Sequence, residues 1–303
     1  MLIYQISREI SGKQLIGTYA GVVAATLFVI FPSALNWYAQ IHKDGYAIAG
    51  MLLIFWTWVK VLNEQYNFHG LLTLTLSQLA GVLLIASVRP YGLKLLIVAT
   101  LMVCAILVIN ALLRRQLLQQ LKPIMFFLIS VIILASTLKI LPATDTAKLG
   151  ESYLNWQDVN GVWQWKKSPL LPDSIEGYVE LTAKTRAGMI DYGVREKAKS
   201  MIDVDVRPQS IEEVVLFLPR SFHIALLAPF PSSWLSNLSI TRIVAAGEMF
   251  VYYLCLPGIF LLLYYNRKPV VLAAIFFAAF FLTVHGFTTA NLGTLYRLRY
   301  AYL

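Results

Sequence analysis

Long apolar runs separated by shorter polar segments make up most of the chain. A membrane-spanning helix needs about 20 residues to cross roughly 30 Å of hydrocarbon, and runs of about this length recur along the sequence. They lie at residues 15–38, 46–62, 71–88, 93–113, 123–141, 240–265 and 269–287. The pattern predicts an all-α polytopic membrane protein with about seven transmembrane helices.

One polar segment, residues 142–239, interrupts the apolar pattern and has a composition that could fold in water. Residues 156–165 alternate around an Asn-Gly pair, which favours a β-hairpin. Residues 173–176 have the spacing of a capping box, which predicts a helix running to about residue 202. Ser210 predicts the start of a second helix, which we expect to end near Pro219. The segment is therefore expected to be a small α+β insertion.

The composition of the whole chain excludes a soluble protein. The chain is 58% hydrophobic and 14% charged, whereas soluble domains are roughly half apolar and a quarter charged. The formal net charge of +9 comes from residues between the apolar runs, where Lys and Arg set membrane orientation. A single basic face of the kind that binds nucleic acid is not visible, so no nucleic-acid partner is expected. Cys104 and Cys255 lie inside apolar runs and are expected to pack as small hydrophobic residues.

Basic residues between the spans predict which ends face the cytoplasm. Arg114-Arg115 and Arg267-Lys268 both lie in short loops, and the positive-inside rule places those loops in the cytoplasm. Alternation of the spans then places the insertion outside. The predicted organisation is an N-terminal membrane domain of about five spans (1–141), an extracytoplasmic insertion (142–239) and a C-terminal membrane segment of about two spans (240–303).

Ionisable residues near the outer ends of the predicted spans are the candidates for a functional site. They are Lys43, Asp44, Arg89, Arg220, Glu248, Arg297 and Arg299. Asp44 is the carboxylate of the first outer loop and has two interpretations. It is either a general base or divalent-cation ligand, or the cap of the following helix.

The other candidates also allow two interpretations each. Arg89 is either a phosphate ligand or an arginine whose side chain reaches the membrane interface. The first interpretation is favoured by the way guanidinium pairs with phosphate, through two parallel hydrogen bonds. Arg297 and Arg299 are phosphate ligands or interface anchors among tyrosines. Glu248 lies inside an apolar run, so it is a site candidate that we expect to pair with one of these arginines. Arg220 binds substrate or contacts lipid headgroups.

The order of these motifs resembles a known superfamily. The motifs that carry the resemblance are, in chain order, Lys43-Asp44, Arg89-Pro90-Tyr91, Leu218-Pro219-Arg220, the Ala-Pro-Phe-Pro sequence at 228–231 and the segment at 291–299. Together they are similar to the bacterial multi-pass membrane glycosyltransferases of the C-type superfamily. The resemblance implies a transferase of the inner membrane that inverts the sugar while moving it from a polyprenyl-phosphate donor at the outer face. It also implies that basic residues bind the lipid phosphate and that a carboxylate activates the acceptor.

In this interpretation Asp44 is catalytic and the other six candidates bind substrate. The lipid-linked sugar and the membrane lipids are the expected partners; no cofactor is certain, and a divalent cation at the site remains open. Two alternatives to the transferase also remain open, a polysaccharide polymerase or ligase and a non-catalytic scaffold of the same pathway. The superfamily carries its main acids after an earlier span that this sequence does not contain, so we expect the chain to be part of a longer protein.

Overall fold

The computed structural model describes residues 1–11, 14–31, 43–63, 66–115, 117–141, 163–169, 171–198, 200–234, 240–265 and 268–299. Within them the chain is almost entirely helical, with one short 3-10 turn at Pro231–Ser233. The helices are α1 (Leu2–Ser11), α2 (Gln14–Ile30), α3 (Lys43–Asn63), α4 (Phe68–Val88), α5 (Tyr91–Leu113), α6 (Leu117–Ile140), α7 (Asp173–Arg195), α8 (Ile211–Leu227), α9 (Ile240–Tyr265), α10 (Pro269–Thr288) and α11 (Leu292–Arg299).

Six helices in the described part of the chain are long and apolar enough to cross a membrane. The candidate spans are Gly45–Asn63, His69–Val88, Tyr91–Leu113, Gln120–Ile140, Ile243–Tyr265 and Pro269–Thr288. The prediction of an all-α polytopic membrane protein is confirmed, but the count of about seven spans is not. The first predicted run forms the shorter helix α2, which ends at Ile30. Phe31 leaves the helix because a residue that precedes a proline avoids helical backbone angles.

The predicted α+β class of the insertion is wrong for the residues that the structure describes. Between residues 163 and 234 they form α7, α8 and the 3-10 turn, and no strand. One isolated antiparallel bridge joins Met201 to Asn291. The predicted hairpin at 156–165 lies mostly outside the described residues.

The two helices of the insertion begin differently from each other. Ser210 caps α8 as predicted, since its side chain accepts a hydrogen bond from the backbone N–H of Glu213 at 3.3 Å. The capping box predicted at the start of α7 is wrong. Glu176 instead accepts from the Ser168 N–H at 2.6 Å and from the indole of Trp165 at 3.2 Å. This carboxylate therefore fastens the preceding segment to α7.

The predicted ends of these helices also need correction. Helix α7 ends at Arg195 rather than near residue 202. Helix α8 continues through Pro219 to Leu227. A proline inside a helix removes one backbone hydrogen bond, but the residues beyond it, Ile224 and Ala225, are fully buried. Burial of this second half offsets the lost hydrogen bond.

The described chain forms two compact units. The first comprises residues 1–142 and 254–278, and the second comprises residues 143–253 and 279–303, so α9 and α10 contribute to both. In the first unit, α3 and α4 meet at a pair of glycines. A Cβ atom on Gly50 would lie 2.7 Å from the carbonyl oxygen of Gly81, and one on Gly81 would lie 2.9 Å from that of Gly50. Small residues of this kind let membrane helices approach closely.

Replacing Gly50 by Ala is expected to destabilise the first unit by roughly 1–3 kcal/mol, because the added methyl group forces the α3 and α4 backbones apart. Thermal unfolding of the purified protein in detergent measures the effect. Gly45→Ala in the same helix is the control, since a Cβ atom there meets nothing within 4 Å. Equal unfolding temperatures for the two variants would show that the glycine contact does not determine the packing.

Candidate functional site

The structure places three of the predicted site residues at helix ends of the first unit. Lys43 and Asp44 lie in the first turn of α3, and their side chains are outside the described part. Arg89 is half-buried at the end of α4, where its backbone N–H donates to the Ile85 carbonyl at 2.7 Å. Pro90 follows it directly and precedes the first residue of α5.

The other four candidates all belong to the second unit. Two of them lie on α11, which begins after Asn291, whose side chain accepts from the backbone N–H groups of Gly293 and Thr294 at 2.9 and 3.2 Å. Because this segment is helical, Arg297 and Arg299 point to different faces. Arg297 is half-buried, whereas Arg299 is fully buried.

Arg299 lies among internal acceptors and aromatic rings. Its Nη1 donates to the Ala228 carbonyl at 2.7 Å, and its Nη2 lies 2.9 Å from the Met249 sulfur. Its guanidinium carbon lies 3.8 Å from the ring centre of Tyr296 and 5.5 Å from that of Tyr252. A guanidinium over an aromatic face is stabilised more strongly when it is removed from water. Arg299 thus joins α11, α9 and the chain that follows α8.

Glu248, on α9, is also buried in this cluster. Its carboxylate accepts a hydrogen bond from the Tyr296 hydroxyl at 2.6 Å, and only 4% of the residue is exposed. Tyr296 therefore binds the carboxylate through its hydroxyl and the Arg299 guanidinium through its ring. The sequence predicted that Glu248 would pair with an arginine, and this tyrosine connects it to one.

Arg220 forms a second polar cluster in the same unit. Its Nε and Nη2 donate to the two carboxylate oxygens of Asp203 at 2.9 and 3.1 Å. The guanidinium also lies 3.5 Å from Nδ1 of His223 and packs over the ring of Phe230 at 5.2 Å. The two-pronged hydrogen bond to Asp203 raises the pKa of Arg220 above its ordinary value. Because 42% of its side chain is exposed, this cation can still approach a ligand.

Arg186 is a structural arginine that sequence analysis missed. It is fully buried on α7 and donates to three backbone carbonyls, those of Asp203 and Val206 at 2.9 Å and that of Phe287 at 3.0 Å. Burial lowers its pKa to about 10, although the charge of Asp203 opposes that change. Only its position on the inner face of an amphipathic helix could have indicated this role.

Asp203 connects these two arginines. Its backbone adopts a positive φ of 49°, which is uncommon for a residue other than glycine. Arg186 holds its carbonyl oxygen while Arg220 holds its carboxylate. The buried arginine thus fixes the loop that presents the carboxylate to the half-exposed one.

A metal centre is not assembled by the part of the chain that the structure describes. No group of three His, Cys, Asp or Glu side chains there comes close enough to hold an ion. Cys104 is buried, as predicted, whereas Cys255 is exposed on α9. Comparison of the chain with protein-family models, with curated proteins and with solved structures finds no match in any of the three. The fold therefore defines the class, a multi-pass α-helical membrane protein.

Proposed function

We propose that the chain is a membrane glycosyltransferase of surface polysaccharide or glycolipid assembly. It moves a sugar from a polyprenyl-phosphate donor to an acceptor at the outer face of the bacterial inner membrane. The supporting observation is that two arginines approach the same short segment: Arg299 binds the Ala228 carbonyl and Arg220 packs over Phe230. Two residues of chain span at most about 7 Å, so both arginines contact one short segment. Arg299 is buried and holds this segment, whereas the half-exposed Arg220 is the cation that a lipid phosphate can approach.

The proposed reaction is a direct displacement at the anomeric carbon of the donor. The acceptor hydroxyl oxygen attacks that carbon, and the bond from it to the phosphate oxygen breaks. Polyprenyl phosphate leaves with the electron pair, and a carboxylate takes the hydroxyl proton. Asp44 is the proposed base. Cationic side chains stabilise the charge that develops on the leaving phosphate.

The arginines and the other candidates divide into two proposed roles according to their burial. Arg299 and Glu248 are buried in mutual contact with Tyr296, so they position the segment at 228–230 rather than reach a ligand directly. In the second unit, Arg297 is half-buried and Arg220 is half-exposed, so these two are the proposed ligands of the donor phosphate. Arg89, half-buried in the first unit, is a proposed phosphate ligand on the basis of its sequence motif alone. Lys43, beside Asp44 in the first turn of α3, adds positive charge at the proposed base.

Alternation of the six candidate spans supports an outer-face site. If all six candidate spans cross the membrane, an even number of crossings separates the first turn of α3 from α11, and both would lie on the side of the insertion. The loops at Arg114-Arg115 and Arg267-Lys268 lie on the opposite side, where the positive-inside rule favours them.

A cysteine placed at Lys166 is expected to react with a membrane-impermeant maleimide in intact cells, because this exposed residue belongs to the insertion. The background carries Cys104→Ala and Cys255→Ser. Arg114→Cys in the same background is the control and should be labelled only after permeabilisation. The reverse pattern would invert the topology and remove the outer-face site.

Arg89→Gln and Arg297→Gln are each expected to abolish sugar transfer in membranes that contain normal amounts of the protein. The Lys variants should recover only part of it, since an ammonium keeps the charge but loses the two-pronged geometry. Lys184→Gln, which removes an exposed cation of α7, is the control and should leave transfer unchanged. Full transfer by both Gln variants would make these arginines interface anchors.

The protein reconstituted into liposomes tests the function itself. We expect polyprenyl phosphate to be released from one of a panel of synthetic polyprenyl-phosphate hexoses when acceptor glycan is present. Consumption of oligosaccharide carried on a pyrophosphate lipid would instead identify a polymerase or ligase. The scaffold alternative has its own support, because Arg186, Arg220 and Arg299 all donate to internal acceptors. Turnover of neither donor class would favour it.

A further inference from the structure

The segment at 221–234, which comprises the second half of α8 and the 3-10 turn, is unusually apolar for the insertion. It contains no Asp, Glu, Lys or Arg, whereas the eleven residues before it include Glu212, Glu213 and Arg220. A loop in water has no need to exclude charge over such a length. Charge is costly, however, wherever a chain enters hydrocarbon.

Helix α10 fixes where α8 meets the membrane boundary. A Cβ atom on Gly286 would collide with the Ser221 carbonyl and lie 3.0 Å from Ala225, so α8 crosses α10 at this level. Helix α10 has 20 residues, which is about the 30 Å of the hydrocarbon core. Gly286 lies near its end. The crossing therefore lies at the edge of the hydrocarbon.

Helix α9 fixes how far α8 continues. The Tyr253 hydroxyl donates to the Leu227 carbonyl at 3.1 Å, and Trp234 packs edge-on against the Tyr253 ring at 5.9 Å. Tyr253 lies ten residues inside the candidate span Ile243–Tyr265, which is roughly 15 Å of helix. The six helical steps from Ser221 to Leu227 rise roughly 9 Å. Both lengths place Leu227 below the boundary.

The backbone at this depth has its carbonyl groups satisfied by nearby donors. Each carbonyl from residue 227 to residue 231 accepts a hydrogen bond. The pairs are Tyr253 Oη to Leu227 (3.1 Å), Arg299 Nη1 to Ala228 (2.7 Å), Trp234 Nε1 to Pro229 (2.8 Å), Ser233 Oγ to Phe230 (2.8 Å) and Trp234 N to Pro231 (3.2 Å). Non-helical backbone within a membrane requires such partners, because hydrocarbon offers none.

We propose that residues 221–234 form a re-entrant segment that enters the leaflet on the insertion side, the side on which α9 also begins. Its occupant is the acyl-chain layer of that leaflet, since α9 and α10, which it contacts, are themselves spans. The exposed Pro231 and half-buried Leu226 then face lipid. Arg220 and His223 lie at the level of the lipid phosphates, and Arg299 satisfies the broken end of α8. This inference does not depend on glycosyl transfer.

Site-directed spin labelling in phosphatidylcholine vesicles tests the proposal with the full chain. The label is placed at Ser232→Cys in the background without the two native cysteines, because Ser232 is exposed. Glu212→Cys, exposed at the start of α8, is the water reference, and Leu261→Cys, exposed on α9, is the lipid reference. Oxygen concentrates in hydrocarbon, whereas a nickel chelate stays in water.

At Ser232 we expect oxygen to relax the spin label as strongly as it does at Leu261. We expect the nickel chelate, which relaxes the label at Glu212, to have no effect there. Nickel access equal to that at Glu212 would place the segment in water and overturn the proposal. Access to neither reagent would place it inside protein rather than lipid, and would overturn it as well.

Discussion

Replacing Asp44 by Asn is expected to reduce sugar transfer at least about a hundredfold, the lower range for loss of a general base. A base must accept the acceptor's hydroxyl proton, which a carboxylate can do and an amide cannot. The measurement is transfer from a polyprenyl-phosphate hexose in vesicles, normalised to the amount of protein. The substitution also weakens Asp44 as a metal ligand, so the loss is expected whether the carboxylate acts directly or through a divalent cation.

The stability effect of this change is expected to be small. Helix α3 begins at Lys43, so Asp44 lies within its first turn. An acidic side chain there interacts favourably with the positive end of the helix by about 0.3–1 kcal/mol, and Asn loses only that amount. Asp173→Asn, at the start of α7, makes the same change at another helix and serves as the control. Transfer by Asp44→Asn within a fewfold of the parent would assign Asp44 to the helix end alone.

Much of the membrane architecture could be predicted from the sequence because hydrocarbon imposes a single requirement on length and apolarity. That requirement identified the spans of α3 to α6, α9 and α10. It overestimated the first run, where the sequence stays apolar past Ile30 although the helix ends there. The apolar composition extends across Pro32, whereas α2 ends two residues before it.

The insertion was predicted less well because its helices depend on distant contacts. The proline rule ended α8 at Pro219, but burial against α10 carries that helix on to Leu227. Glu176 has the spacing of a capping residue, yet it binds a segment that precedes the helix. Local patterns predict helix ends correctly only where tertiary packing does not compete with them.

The same limit applies to the candidate site. Glu248 and Arg299 were identified because ionisable residues next to membrane spans are costly and therefore conspicuous. Tyr296 was not identified as a site residue, since a tyrosine near a membrane interface needs no special explanation. Its role depends on a contact with α9 that spans 48 residues of sequence. Arg186 was missed for the same reason, as its acceptors are backbone carbonyls and one lies 101 residues away.

Replacing Arg186 by Met is expected to destabilise the second unit by about 3 kcal/mol, as the balance of two opposing effects. Loss of the arginine leaves three carbonyls without their donor, at about 1–3 kcal/mol each. Removing a charge that is buried away from water favours folding and offsets part of this loss. The lowering of its pKa to about 10 corresponds to about 3 kcal/mol at 1.36 kcal/mol per pKa unit. Met fills most of the same volume, so a cavity adds little.

Thermal unfolding of the purified protein and protease cleavage within residues 163–234 measure this loss. Arg195→Met is the control, because Arg195 is exposed at the end of the same helix and surface changes usually stay within about 0.5 kcal/mol. The folded-state pKa of Arg186, about 10, lies below its unfolded value, so this group raises stability only as the pH rises through about 10 and contributes a constant amount near neutrality. The difference in the free energy of unfolding between Arg186→Met and the parent should therefore be the same at roughly pH 6 and pH 8. If the Met variant unfolded with the parent, the three carbonyls would have other donors and Arg186 would not hold the loop that carries Asp203.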